Sequence, residues 1–325
     1  MTYPEILRLI GGGWLPFSNP WLKVRSLGPR TIQRDRAADR RDMSDSGFFV
    51  RFWGVRGSIA TTGADTLRYG GNTTCLEMRC GPHLLIFDAG TGIRLLGDAL
   101  ERTGDPVTAD LFFTHSHIDH VVGFPFFSPF HDKRSRISLW EGHLGPDLTL
   151  GTVLGSLMAA PLFPVPLRGL ERCLDYRKFT GGQVLEPRPG LIVRTCPLNH
   201  PNGATGYRVD YQGRSICLIT DTEHPAQGRD ETIADLVRGA DVMIYDASYS
   251  DAEYADHVGW GHSTWQEALR LADHAGVRHP VIFHHCPERT DVMLDQIAAQ
   301  ARALHPGALV AREGQVITPD GELVC

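Results

Sequence analysis

The stretch Leu111–Thr114 is apolar until its last residue and runs straight into His115-Ser116-His117-Ile118-Asp119-His120, three histidines and an aspartate within six residues. A short apolar run of this kind reads as a buried strand, and the polar cluster behind it limits what the chain can become. The four residues cannot all continue the strand, because alternation would send Asp119 and His120 to opposite faces. At a strand-to-helix turn they converge on one pocket instead. Imidazole nitrogen and carboxylate oxygen are donors for zinc and related divalent metals. A chance set of surface histidines is the competing explanation, and it leaves their place directly behind an apolar strand unexplained.

Further metal-competent residues stand where other apolar runs end. His200 follows the strand Leu191–Cys196 and precedes the turn Pro201-Asn202-Gly203, Asp221 follows Ser215–Thr220, and His284 follows Val281–Phe283. Sites in α/β proteins are commonly assembled from such ends. Singly each is weak, but together they supply the donors for a second ion. The rest of the chain from Phe48 has the same texture. Strands are predicted at Val50–Val55, Thr73–Arg79, Leu84–Asp88, Ile137–Trp140, Thr205–Tyr211, Val242–Tyr245 and in a closing pair, with Gln212-Gly213 as a hairpin turn. Helical spacing marks Ile93–Leu100, Ile233–Arg238, Thr264–Ala275 (opened by Ser263) and Met293–Leu304. Blocks of this style occur twice, which predicts two sheets flanked by helices. Gly142–Phe179 (about 142–180) reads as an apolar, proline-containing insertion with a helical stretch at Leu150–Met158. It either packs as a buried loop or forms a lid or pocket wall.

Residues 1–46 differ from the rest. Gly11-Gly12-Gly13, Pro16, Pro20 and Pro29 break regular structure, and Arg34, Arg36, Arg40 and Arg41 mix with Asp35, Asp39 and Asp42 without an apolar face. The expectation is a disordered or loosely packed leader, followed by a hydrolase domain over 47–325. Glu5 and the short run Ile6–Ile10 do not make a secretory signal. Seven scattered cysteines without a CxxC predict reduced thiols and a cytoplasmic protein. No apolar stretch approaches the ~20 residues that span a bilayer, so no membrane partner is expected. A net charge of −6 at pH 7 disfavours a long nucleic acid gripped by its phosphates and favours a small substrate.

With these motifs in place, the chain resembles the metallo-β-lactamase superfamily, in the phosphodiesterase branch that includes ribonuclease Z and small cyclic-phosphodiester hydrolases. The resemblance covers about Phe49 to Gly314 and rests on several motifs besides the histidine cluster. These are Gly70-Gly71-Asn72-Thr73-Thr74, Phe87-Asp88-Ala89-Gly90-Thr91-Gly92, Thr220-Asp221, Gly261-His262-Ser263-Thr264 and Phe283-His284-His285. It implies a four-layer αββα sandwich and two divalent ions, zinc first and manganese as the alternative. One ion would be held by His115, His117 and His200, the second by Asp119, His120 and His284, with Asp221 bridging. A shared carboxylate screens two dications that otherwise repel. His285 leaves an ambiguity, since alternation lets only one of the pair face the site, and His284 is preferred.

The resemblance also assigns chemistry. Asp119 would orient the attacking hydroxide, His262 would protonate the leaving alkoxide, and Asp246 would orient His262. The competing explanation for His262 is a partner at the helix N-terminus beside Ser263, itself a good N-cap; the metal motif favours the donor. Cys286 stands where an acidic or hydroxyl residue is expected. A thiol there either tunes the second ion or fills an apolar gap. The long basic arm with which ribonuclease Z grips transfer RNA is missing. The expected activity is therefore hydrolysis of a small cyclic or nucleotide-like phosphodiester by a metal-bridged hydroxide. An RNA-processing nuclease of ribonuclease Z type, a lactonase or ester hydrolase, and a non-catalytic sensor are the alternatives. A homodimer is compatible with all of them.

Overall fold

Alternation of side chains along the strands sorts the apolar residues into three layers of core. The computed structural model describes residues 47–323, and the leader expected at 1–46 lies outside them. One sheet contains β1 (Phe48–Gly54), β2 (Cys75–Cys80), β3 (His83–Phe87), β4 (Thr108–Phe113), β5 (Arg136–Glu141) and β6 (Leu174–Lys178). Two late strands, β14 (Val316–Thr318) and β15 (Gly321–Leu323), complete it in the order β15-β14-β1-β2-β3-β4-β5-β6. The second sheet holds β7 (Val184–Arg188), β8 (Leu191–Leu198), β9 (Ala204–Tyr211), β10 (Arg214–Ile219), β11 (Val242–Asp246), β12 (His279–Phe283) and β13 (Leu309–Val310). Its order is β13-β12-β11-β10-β9-β8-β7. The helices are α1 (Ile93–Glu101), α2 (Ile118–Val121), α3 (Leu150–Leu157), α4 (Glu231–Val237), α5 (Asp251–Tyr254), α6 (Trp265–Ala275) and α7 (Asp291–Leu304).

Between the sheets, Phe52, Leu76, Phe87 and Phe112 meet Val209, Leu218, Ile244 and Phe283 in one buried cluster. The neighbours of Phe112 in β4, Leu111 and Phe113, point the other way and pack with Ile93 and Leu96 of α1. On the second sheet, Cys217, Ile219, Met243 and Tyr245 lie under α4 and α6, while Ile282 packs with Leu294 and Ala301 of α7. The layers are therefore αββα, as the family resemblance implies. Each of these large apolar side chains contributes ~1.5–3 kcal/mol on burial.

Two local expectations change. The stretch at 142–180 holds the crossover from β5 to β6, over residues 142–173, and β6 itself, which pairs with β5 in parallel. Thr149 caps α3 by accepting from the Thr152 N–H, and Leu150, Leu154, Met158 and Leu167 bury against the outer face of the first sheet. A parallel pair needs such a connection, so the insertion is part of the sandwich itself. At α6 the cap is Thr264, whose hydroxyl accepts from the Glu267 N–H, and Ser263 is free for other partners. The strands β6 and β7 were not legible because both are edges: β6 is largely exposed and β7 contains Pro187.

Strand direction then creates the site. β3, β4 and β5 run parallel, as do β10, β11 and β12. β8 reaches the same direction through two antiparallel steps. All their carboxyl ends open at one rim, where α/β folds bind ligands. No helix among the described residues is long and apolar enough to cross a membrane.

Candidate metal centre

Three site residues sit just past a strand with left-handed backbone: Asp88 (φ 60°), Asp221 (φ 61°) and His284 (φ 59°). For residues with a Cβ this costs on the order of 1 kcal/mol or more, and surrounding hydrogen bonds must hold it. The kink takes each side chain out of strand alternation and aims it into the rim. β4 instead continues through Thr114 and His115 to His117, the extended N-cap of α2, and that helix carries Asp119 and His120. The strand-to-helix turn is as expected.

The ligand atoms gather in two triads. Those of His115, His117 and His200 lie within 4.8 Å of one another, and so do those of Asp119, His120 and His284. Asp221 divides its carboxylate between them. Its Oδ1 is 3.8 Å from both His115 Nε2 and His200 Nε2. Its Oδ2 is 3.3 Å from both His120 Nε2 and His284 Nε2. The Nε2 atoms of His115, His120 and His284 are buried with no hydrogen-bond partner. Three orphaned imidazole nitrogens facing carboxylates at one spot are costly unless something else satisfies them. The nitrogen and carboxylate donor set fits a pair of divalent ions.

Every triad is held from behind. His120 Nδ1 donates to Asp88 Oδ2 at 2.8 Å, and the Thr114 N–H donates to Asp88 Oδ1 at 2.8 Å. His200 Nδ1 donates to the Gly261 carbonyl at 2.7 Å, which leaves its Nε2 lone pair facing inward. The Ser58 N–H holds Asp119 Oδ2 at 2.7 Å, and Ser248 Oγ lies 3.2 Å from His284 Nδ1. Burial keeps His115, His117 and His200 below the ordinary imidazole range, so these rings are neutral and ready to coordinate. Burial opposes charge on His120 too, but the carboxylates of Asp119, Asp221 and Asp88 outweigh it and raise the ring well above its usual value. Burial likewise works against the charge of Asp221, yet His284, His120 and His115 keep its carboxyl well below the usual range.

His262 and Asp246 adjoin this cluster. His262 Nδ1 is 2.8 Å from Asp246 Oδ2 and 3.8 Å from Asp221 Oδ1. Burial disfavours its proton, but Asp246 prevails and the imidazole is pushed up to about 9. Asp246 is itself pinned at the end of β11 by the Thr222 and Ser248 N–H groups. Ser263, the alternative partner for His262, instead meets His224 Nδ1 at 2.7 Å.

His284, not His285, faces the centre. His285 Nε2 donates to the Ala311 carbonyl at 2.8 Å, and burial drives its pKa to about 3. Cys286 points to Glu288 Oε2 at 2.7 Å, and burial together with that carboxylate pushes the thiol to about 11. It is a protonated donor and not a reactive thiolate. The structure thus brings together all nine residues singled out in the sequence: His115, His117, Asp119, His120, His200, Asp221, Asp246, His262 and His284. Sequence reasoning gave no role to Asp88, Ser58 or Ser248. Asp88 carried a signal, an ionisable residue closing a wholly apolar strand; Ser58 acts through its backbone and carried none.

Comparison with known proteins agrees with this construction. The model for the beta-lactamase superfamily domain matches residues 83–285, more than half the chain. The chain belongs to that family. It is 35% identical over 281 residues to ribonuclease Z of Gemmatimonas aurantiaca, covering 72% of this chain and 86% of the relative. Ribonuclease Z of Mycobacterium avium is 28% identical over 234 residues, covering 65% and 78%. Among solved structures, the metallo-β-lactamase fold protein YhfI of Bacillus subtilis superposes with a TM-score of 0.62 at 15% identity, covering 83% of this chain and 99% of that one. A diphosphatase of the PhnP family gives 0.61 at 16% identity, covering 85% and 100%. These likenesses define the fold of the superfamily.

Proposed function

We propose that the protein is a two-metal phosphodiesterase acting on a small cyclic or nucleotide-like diester. The observation that carries this reading is the divided carboxylate of Asp221, one oxygen toward each triad, with the protonated His262 beside it. His115, His117 and His200 would hold one ion, Asp119, His120 and His284 the other, and Asp221 both. Zinc suits these donors, with manganese the alternative. When bound, the ions supply a nucleophilic water at neutral pH and offset charge on the phosphoryl oxygens. Asp119, fixed by the Ser58 N–H, orients that water. His262 gives its Nε2 proton to the departing oxygen while Asp246 retains the one on Nδ1.

Relatives named ribonuclease Z support an RNA diester as the second reading. Against it stands the net charge of −6, which disfavours grip on a long chain of phosphates. All six described cysteines are unpaired, which suits a reducing compartment such as the cytoplasm. The test is hydrolysis of bis-p-nitrophenyl phosphate by metal-loaded protein, abolished by chelation and restored by zinc or manganese. Absence of any phosphodiester turnover in a sample shown to carry metal would refute the proposal. Comparing cyclic nucleotides with a transfer RNA precursor then separates the two substrates.

A further inference from the structure

The segment 255–261 leaves α5 and delivers His262, and it carries two exposed apolar residues, Val258 and Trp260 (60% exposed). A large exposed indole beside a polar centre needs a reason. This one is not loosely placed. Glu223, two residues past Asp221, accepts from the Gly259 and Gly261 N–H groups at 2.6 and 3.1 Å, and the Gly261 carbonyl receives His200 Nδ1. Gly261 also presses on the His200 ring so closely that a Cβ there would lie 2.3 Å from Nδ1. Trp260 is therefore one residue from a contact with the first triad and two from the proton donor.

Its ring is braced by a ladder of others. Trp260 meets His257 edge-on at 5.1 Å, His257 stacks on Tyr249 at 3.9 Å, and Tyr249 meets His262 edge-on at 6.2 Å. Two further exposed apolar residues adjoin site residues in the chain. Ile59 follows Ser58, and Ile118 lies between His117 and Asp119; both are more than half exposed. Charge completes the picture. Every ion pair that Asp119, Asp221 and Asp246 make among the described residues is with a histidine.

We propose that Trp260 is a stacking platform for the flat ring of a nucleobase, on the His262 side of the centre where the leaving group departs. This rests on the phosphodiesterase reading and narrows it to a diester that carries a nucleobase. Stacking on a tryptophan face is worth a roughly 5- to 100-fold change in affinity when the ring is removed.

The experiment uses the full-length, metal-loaded protein and its Trp260→Ala, Trp260→Phe and Trp260→Leu variants. Hydrolysis of bis-p-nitrophenyl phosphate is inhibited with AMP and, separately, with ribose 5-phosphate, which keeps the phosphate and lacks the base. The expected result is that Trp260→Ala and Trp260→Leu weaken AMP roughly 5- to 100-fold. Ribose 5-phosphate moves by less than about twofold, and Trp260→Phe retains most of the AMP affinity. Equal loss for both inhibitors, or none for AMP, overturns the proposal. Turnover by the wild type with unselective inhibition sinks this inference alone, whereas no turnover of any diester removes the parent reading and this one with it.

Discussion

Replacing Asp246 by Asn tests how the proton donor is made. The carboxylate lies 2.8 Å from His262 Nδ1 and holds the imidazole at about 9 against an ordinary value of 6.5. Removing the charge leaves burial working against the proton, so the pKa falls and the protonated fraction is lost from the alkaline side. If the variant stood at the ordinary value, the donor would go from about 90% protonated to about 3% at pH 8, and at pH 6 only from nearly all to about 75%. The ratio of wild-type to variant kcat should therefore rise about 20-fold between pH 6 and pH 8. Any orientation lost with the carboxylate lowers kcat at both pH values and cancels from that comparison.

The assay needs two leaving groups under metal saturation. A nucleotide diester expels an alkoxide, which needs the proton. Bis-p-nitrophenyl phosphate expels a phenolate stable enough to leave without one. The pH-dependent ratio is expected with the first and a flat ratio with the second. A ratio that is flat for the alkoxide substrate, or equally steep for both, would show that His262 is not the acid.

Other changes probe the frame. Asp88→Asn keeps a side chain that tolerates left-handed backbone but takes the charge from His120 Nδ1; chelator competition should show metal affinity reduced about 10- to 100-fold. Gly57→Ala would set a Cβ 2.3 Å from His284 Cε1, so metal analysis should find the second ion depleted while the first remains. Phe112→Ala empties the space between Phe87, Trp140 and Tyr207 and should cost ~3–5 kcal/mol in urea unfolding, with metal content at saturation unchanged.

Much of this was readable from residues alone, for a physical reason. Strands covered on both faces, such as Leu111–Phe113 and Val281–Phe283, must be apolar throughout, so a histidine or aspartate at their end stands out. The unreadable parts lack that contrast. β6 and β7 are edges with mixed faces, and the crossover carrying α3 looks like any apolar loop until its partner strand is known. His285 and His284 are adjacent and chemically identical; only the left-handed turn at His284 decides which enters the centre. Trp260 was silent because an exposed indole gains meaning only from the ring it leans on.

The left-handed strand ends also divide the labour of the molecule. Asp88, Asp221 and His284 are aimed by backbone joined directly to hydrogen-bonded ladders, so moving them means rebuilding a sheet. The segment 255–261 hangs from Glu223 and a few rings. Exchange of this rim is limited by the two glycine N–H groups on Glu223 and the Gly261 carbonyl on His200 Nδ1, whereas the exposed side chains of Val258 and Trp260 lie outside those contacts. The centre is a fixed part of the sheets, and the exposed residues beside it are an interchangeable fitting.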